Sequence, residues 1–221
     1  MNGTGQYRVG GNPPALGDLS RFDVNRAGAV EAIWNPLYHR QAYAAAGQTQ
    51  LTFFQTPKGA AATPTFGSTN MLAAGSLPTP QQFLCTGIQV HLRSPSAPGR
   101  QAANVATVAS NWNNMDAALE SLSWLDFQIG SKSYSIDGPL SKFPPMFGLG
   151  GVAATAIFAA AAQTSLVDYA KASGRYYAIS PVRIPANQNF SVTLNWTAAQ
   201  AIAAESYITT VLDGYLYRLS Q

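Results

Sequence analysis

The last third of the chain alternates apolar and polar residues with the period of a half-buried strand. In Phe190-Ser191-Val192-Thr193-Leu194-Asn195-Trp196 every second side chain is apolar, which is the two-sided pattern of a strand covering a core. Tyr176–Ile184 and Tyr207–Leu219 read the same way on either side of it. A chain organised by this period has to pair its strands into sheets and bury one face of each, so the expectation is an all-β sandwich.

Other segments follow the pattern. Gln50–Gln55 reads as a strand closed by Pro57 and Gly59, and Phe83–Leu92 as another, with Ile88, Val90 and Leu92 on one face and Gln89 and His91 on the other. Trp124–Ile129 and Lys132–Ile136 read as a hairpin around Gly130-Ser131. Pro181 marks an edge or a bulge, and Pro185–Asn189 a turn. Asp213-Gly214 is either a hairpin turn or a bulge inside one long strand.

Three stretches depart from the strand period. Within Val105–Leu122, Met115, Leu119 and Leu122 fall at helical spacing behind a capping Asn113 or Asn114, which predicts one short helix. Thr197–Glu205 is alanine-rich and reads as one or two helical turns. Met146–Ala162 runs for 17 residues without a charge. It reads first as a buried loop or helix in Phe143–Ala162, next as an apolar patch facing another subunit or lipid, and last as a transmembrane helix, for which it is short.

Residues 1–36 are rich in Gly, Asn, Asp and Pro, with isolated aromatics at Tyr7, Phe22 and Trp34. They read as an extended N-terminal arm ending at Pro36, ahead of one β domain over 37–221. No secretory signal opens the chain, so synthesis and retention in the cytoplasm until assembly are expected.

Composition narrows the function. Hydrophobic residues make up 47% of the 221 and charged residues only 10%, well under the roughly 25% of an ordinary soluble domain. A surface of Ser, Thr, Asn, Gln, Gly and Ala repels copies of itself weakly and favours dense packing. The net charge of +3 comes from 13 basic against 10 acidic residues with no basic run, so no specific nucleic-acid recognition is expected.

Chemistry is sparse. The single cysteine, Cys85, sits in an apolar run and cannot form an internal disulfide. His39 and His91 are too few for a multi-histidine metal site, and no Gly-X-Ser-X-Gly elbow occurs. Gly148-Leu149-Gly150-Gly151-Val152-Ala153 outlines a dinucleotide fingerprint with Asp168 downstream, but Pro144 and Pro145 stand where its first strand belongs. No catalytic residue, cofactor or metal is therefore assigned. If an enzyme, its best candidates would be Asp126, Asp137 and Asp168. Tyr176, Tyr177, Tyr207, Tyr215 and Tyr217 read as core or interface aromatics before they read as a stacking platform.

With these residues in view, several phrases resemble the major capsid proteins of tailless icosahedral bacteriophages built on the viral jelly roll. They are Leu51-Thr52-Phe53-Phe54-Gln55-Thr56-Pro57-Lys58-Gly59, Asn70-Met71-Leu72-Ala73-Ala74-Gly75-Ser76-Leu77-Pro78, Ile184-Pro185-Ala186-Asn187-Gln188-Asn189-Phe190 and Leu212-Asp213-Gly214-Tyr215-Leu216-Tyr217-Arg218. The resemblance implies eight strands in two facing four-stranded sheets, to which the sequence reading adds a short helix and long loops. It also implies self-association into capsomers of a virion, beside other capsid proteins, around a genome or an internal membrane. The residues expected at subunit contacts are Arg8, Phe22, Trp34, Met146, Phe147, Leu149, Ile157 and Phe158. The alternative is a β-sandwich module that binds carbohydrate or another ligand.

Overall fold

The computed structural model describes residues 30–60, 66–93, 122–144, 148–158, 161–171, 177–202 and 205–219. The chain forms β1 (Val30–Trp34), β2 (Leu37–Tyr43), β3 (Gln50–Phe53), β4 (Gln82–Arg93), β5 (Ser123–Ile129) and β6 (Lys132–Asp137). After a 3-10 turn at Leu140–Lys142 come β7 (Gly148–Phe158), β8 (Ala161–Lys171), β9 (Tyr177–Ile184), β10 (Phe190–Trp196) and β11 (Ser206–Leu219). The protein is an all-β sandwich.

One sheet runs β1-β11-β4-β9, with β2 also paired to β11; the other runs β3-β10-β5-β6. β1 and β2 take successive lengths of the same edge of β11, Trp34 lying opposite Tyr215 and Leu37 opposite Leu212. Counted as one interrupted strand, they open a nested series of antiparallel pairs. β1–β2 pairs with β11, β3 with β10, β4 with β9, and β5 with β6. The ribbon β7–β8 is inserted between β6 and β9 and forms a sheet of its own.

The alternation read from sequence sets the layers. β5 and β10 bury every second residue, so Leu125, Phe127, Val192 and Leu194 face inward from one sheet. Phe83, Cys85, Ile88, Ile184 and Leu212 meet them from the other in one continuous core. Tyr43 and Trp196 close one end with rings 5.3 Å apart at 71°, and Phe143 packs 4.6 Å from Tyr177 at another margin.

Several expectations are corrected. Residues 148–158 and 161–162 are strand, not a buried loop, an internal helix or a membrane helix. Three glycines disfavour a helix at the start of this segment, and cross-strand pairing satisfies its backbone. The same pairing places the dinucleotide-like glycines inside a strand, with Gly151 opposite Asp168, so no strand–turn–helix cradle exists there. Thr197–Ile202 is not helical; its backbone is held by the Tyr43 hydroxyl, which donates to the Gln200 carbonyl at 2.9 Å, and by the Ile202 amide donating to Ala45 at 2.8 Å. Val30–Trp34, within the expected arm, is a strand of the first sheet, and Glu31 accepts from Arg218 at 2.9 Å. The expected helix within 105–122 lies almost wholly outside the described residues.

Asp213-Gly214 resolves as a bulge. β11 runs unbroken through it while its register against β4 shifts. Pro181 sits in β9, an edge strand whose pairing with β4 is also interrupted by a shift.

Candidate self-association surface

Of the expected contact residues, Trp34, Leu149, Ile157 and Phe158 lie among the described residues. Trp34 ends β1 at the margin of the first sheet and is 59% exposed. Leu149, Ile157 and Phe158 occupy β7, with register partners Ala170, Ala162 and Ala161 on β8. Arg8, Phe22, Met146 and Phe147 lie outside the described residues.

Sequence reasoning missed a second exposed group on the other sheet. Ile136 on the edge strand β6 is 66% exposed, and Leu122, just before β5, is 73% exposed. Tyr134, on the same edge, is also exposed. The signal was present: Ser133-Tyr134-Ser135-Ile136 alternates, and an edge strand with apolar side chains in water is a template for pairing. Beside this edge the outer face of the sheet is a polar row. Gln128 Nε2 donates to Asp126 at 2.5 Å and to Ser133 at 3.4 Å, and Gln50 Nε2 donates to Asn195 at 3.4 Å.

Three polar devices hold the sandwich together. At one side Asp137 of β6 accepts the Tyr177 hydroxyl of β9 at 2.6 Å and the Lys142 ammonium at 2.9 Å, tying the edge strands of the two sheets. Those hydrogen bonds, the tyrosine's first, hold the carboxyl below the usual aspartate range. At the other side the His39 ring of β2 is only 3% exposed and its Nδ1 accepts the Phe54 amide at 2.7 Å, so Nε2 carries the proton. Burial lowers the His39 pKa to about 4, and the ring stands edge-on to Phe53 at 6.0 Å.

The third device lies at the bulge. Asp213 is 1% exposed and accepts a hydrogen bond from Gln89 Nε2, while Gln89 Oε1 accepts from His91 Nε2 at 2.9 Å. Desolvation pushes the Asp213 carboxyl upward. The Cys85 thiol donates to the Gly87 carbonyl at 3.4 Å, and burial drives its pKa far up, so it stays protonated and unreactive.

The carboxylates considered for catalysis are dispersed. Asp126 lies on the outer face of β5, Asp137 belongs to the edge tie, and Asp168 is in the separate ribbon. Among the described residues no group of three or more His, Cys, Asp or Glu is placed to hold a metal, and no helix is long and apolar enough to cross a membrane. Comparison with known proteins finds no matching family model, no similar curated protein and no similar solved structure.

Proposed function

We propose that this chain is a structural protein that assembles with copies of itself into the capsomers of an icosahedral viral shell. The observation that carries the reading is the nested pairing of β1–β2 with β11, β3 with β10, β4 with β9 and β5 with β6. A long antiparallel hairpin folded over on itself into two facing layers would yield that order, so the pairing supports a jelly-roll reading. The resemblance of the four sequence phrases to jelly-roll phage capsid proteins supports the same reading. So does a charged fraction of only 10%.

In this reading no catalytic residue or cofactor is needed. The partners are other subunits, other shell proteins and a packaged genome or internal membrane; the site of action is the virion, after synthesis in the host cytoplasm. Closed symmetric contacts would cover the exposed Trp34 and the β6 edge.

Light scattering and negative-stain microscopy of the purified chain test this. Discrete capsomers or shells are expected as concentration rises, whereas a monomer at every concentration would refute the proposal. Trp34→Ala is expected to change folding stability by no more than about 0.5 kcal/mol, as for most exposed positions. It should raise the concentration needed for assembly by roughly tenfold, the effect of losing an aromatic contact worth more than about 1 kcal/mol.

A ligand-binding sandwich is the second reading, favoured by the row of Gln50, Asn195, Asp126 and Gln128 beside half-buried Trp124 on one outer face. Glycan-array binding by the monomer, lost in Trp124→Ala, would select it.

A further inference from the structure

The outer edge of β6 lies open. Among the described residues β5 pairs with one side of this strand and nothing pairs with the other. An unpaired row of N–H and C=O groups invites another strand. Edges kept apart from partners carry charge or proline along their length. Here Ser133-Tyr134-Ser135-Ile136 has neither, and the two charges, Lys132 and Asp137, stand at the ends of the strand. Tyr134 and Ile136 are exposed on that bare stretch.

A bulge makes the strand self-complementary. Ser135 lies opposite Phe127 and Ser133 opposite Gln128, so Tyr134 is the extra residue. The shift puts Lys132 and Asp137 on one face, since their β5 partners Ile129 and Leu125 are both buried. Ser133 and Ile136 share the other face, opposite Gln128 and Asp126. Turned about a two-fold axis between Tyr134 and Ser135, a second β6 runs antiparallel to the first. Lys132 then meets Asp137 of the copy and Ser133 meets Ile136, each pair on a common face. The charges match at both ends. Lys132 is in none of the described ion pairs and lies 4.9 Å from the Tyr134 ring. Asp137 accepts the Lys142 ammonium, the Gly138 amide and the Tyr177 hydroxyl. A carboxylate takes roughly four such bonds, so it has room for a further donor.

We propose that β6 pairs antiparallel with β6 of a second copy in this two-fold register, joining their four-stranded sheets edge to edge. The proposal rests on the reading of the chain as self-associating and names one of its contacts. Such a contact is isologous, the same strand serving both subunits. Specificity comes from the two symmetric Lys132–Asp137 pairs. A slip by one residue would break both and set Ile136 against the wrong face.

Cysteine cross-linking tests the register. Ser133→Cys and Ile136→Cys together in one chain should give a disulfide-linked dimer on mild oxidation, because directly opposite strand positions lie within about 5.5 Å. Within one strand the two stand roughly 10 Å apart, too far to bridge, and the native Cys85 is buried. Ser133→Cys alone should not cross-link, since its counterpart lies diagonally across the axis. Ile136→Lys should weaken dimer formation at least about 10-fold in sedimentation equilibrium. Lys132→Glu, which sets like charges together, should weaken it about 3-fold. Thermal melts establish that each variant folds, and hydrogen exchange of the wild-type chain needs no variant: protection of the β6 amides should rise with protein concentration. Oligomers that form while the double variant stays uncross-linked overturn this contact but not self-association, whereas a monomer at every concentration overturns both. Cross-linking by Ser133→Cys alone as strong as by the pair refutes the register. Equal protection of the β6 amides in the dilute monomer would place another segment of the same chain on the edge and overturn the proposal.

Discussion

Gly214→Ala is expected to destabilise the sandwich by at least about 3 kcal/mol, through overpacking against backbone and conformational strain together. A Cβ at this position would lie 1.9 Å from the Leu84 carbonyl oxygen and 2.9 Å from its carbon. These are main-chain atoms of β4, the central neighbour of β11, so they move only if the sheet opens. The backbone at Gly214 has φ +157°, where side chains are rarely accommodated. For a chain of this size the loss corresponds to a fall of roughly 6–12 °C in Tm. Gly59→Ala is the control. Its φ of +83° also disfavours a side chain, but nothing lies within 4 Å of the added carbon, so a cost of only about 1 kcal/mol is expected. Thermal melts of the two variants that gave equal losses would show that strain, not the close approach of Leu84, decides the bulge.

The same bulge shows where sequence legibility ends. The period of 2 was plain in β10 and in the β5–β6 hairpin because each has one dry face and one wet one. Around Asp213-Gly214 the local residues allow a turn and a bulge equally, and only β4, more than a hundred residues away, decides between them. β7 and β8 were illegible for a different reason. Runs of glycine and alanine fit helix, loop and strand alike, and the pairing of Gly148–Phe158 with Ala161–Lys171 fixes the outcome.

Polar residues inside the structure were hidden by the rule that makes the apolar ones visible. His39 belongs to the core face, opposite Thr210, and Gln89 and Asp213 are buried on an outward face. A pattern reading sends all three to solvent. Among candidate contact residues, Trp34 was recognisable as an isolated aromatic, whereas Ile136 was hidden because a hairpin's second strand does not announce which of its edges stays unpaired.

Acidification from about pH 6.5 to about pH 4 is expected to remove about 3 kcal/mol of stability through His39 alone. The unfolded chain takes up the imidazole proton near pH 6.5, while the folded chain resists until about 4. Between these values the unfolded state binds more protons, so stability falls as pH falls, and the contribution is fully present only above 6.5. The geometry gives the cause: a proton on Nδ1 would face the Phe54 N–H at 2.7 Å, donor against donor, in a pocket walled by Phe53 and Phe54. The other titrating groups act with different signs or in other windows. Asp213, held above the usual aspartate range, gains protons in the folded state first and so opposes the loss on acidification. Asp137, held below that range, weakens the fold only in more acid solution, as pH falls from the ordinary aspartate value to its own lowered one. Asp213→Asn should therefore steepen the acid loss of the parent protein while raising stability at neutral pH. His39→Leu should flatten the window between pH 6.5 and 4 and lower stability at neutral pH by about 1–3 kcal/mol, because the Phe54 amide loses its acceptor. Urea denaturation across this range measures both, and an unchanged slope in His39→Leu would assign the acid response to another group.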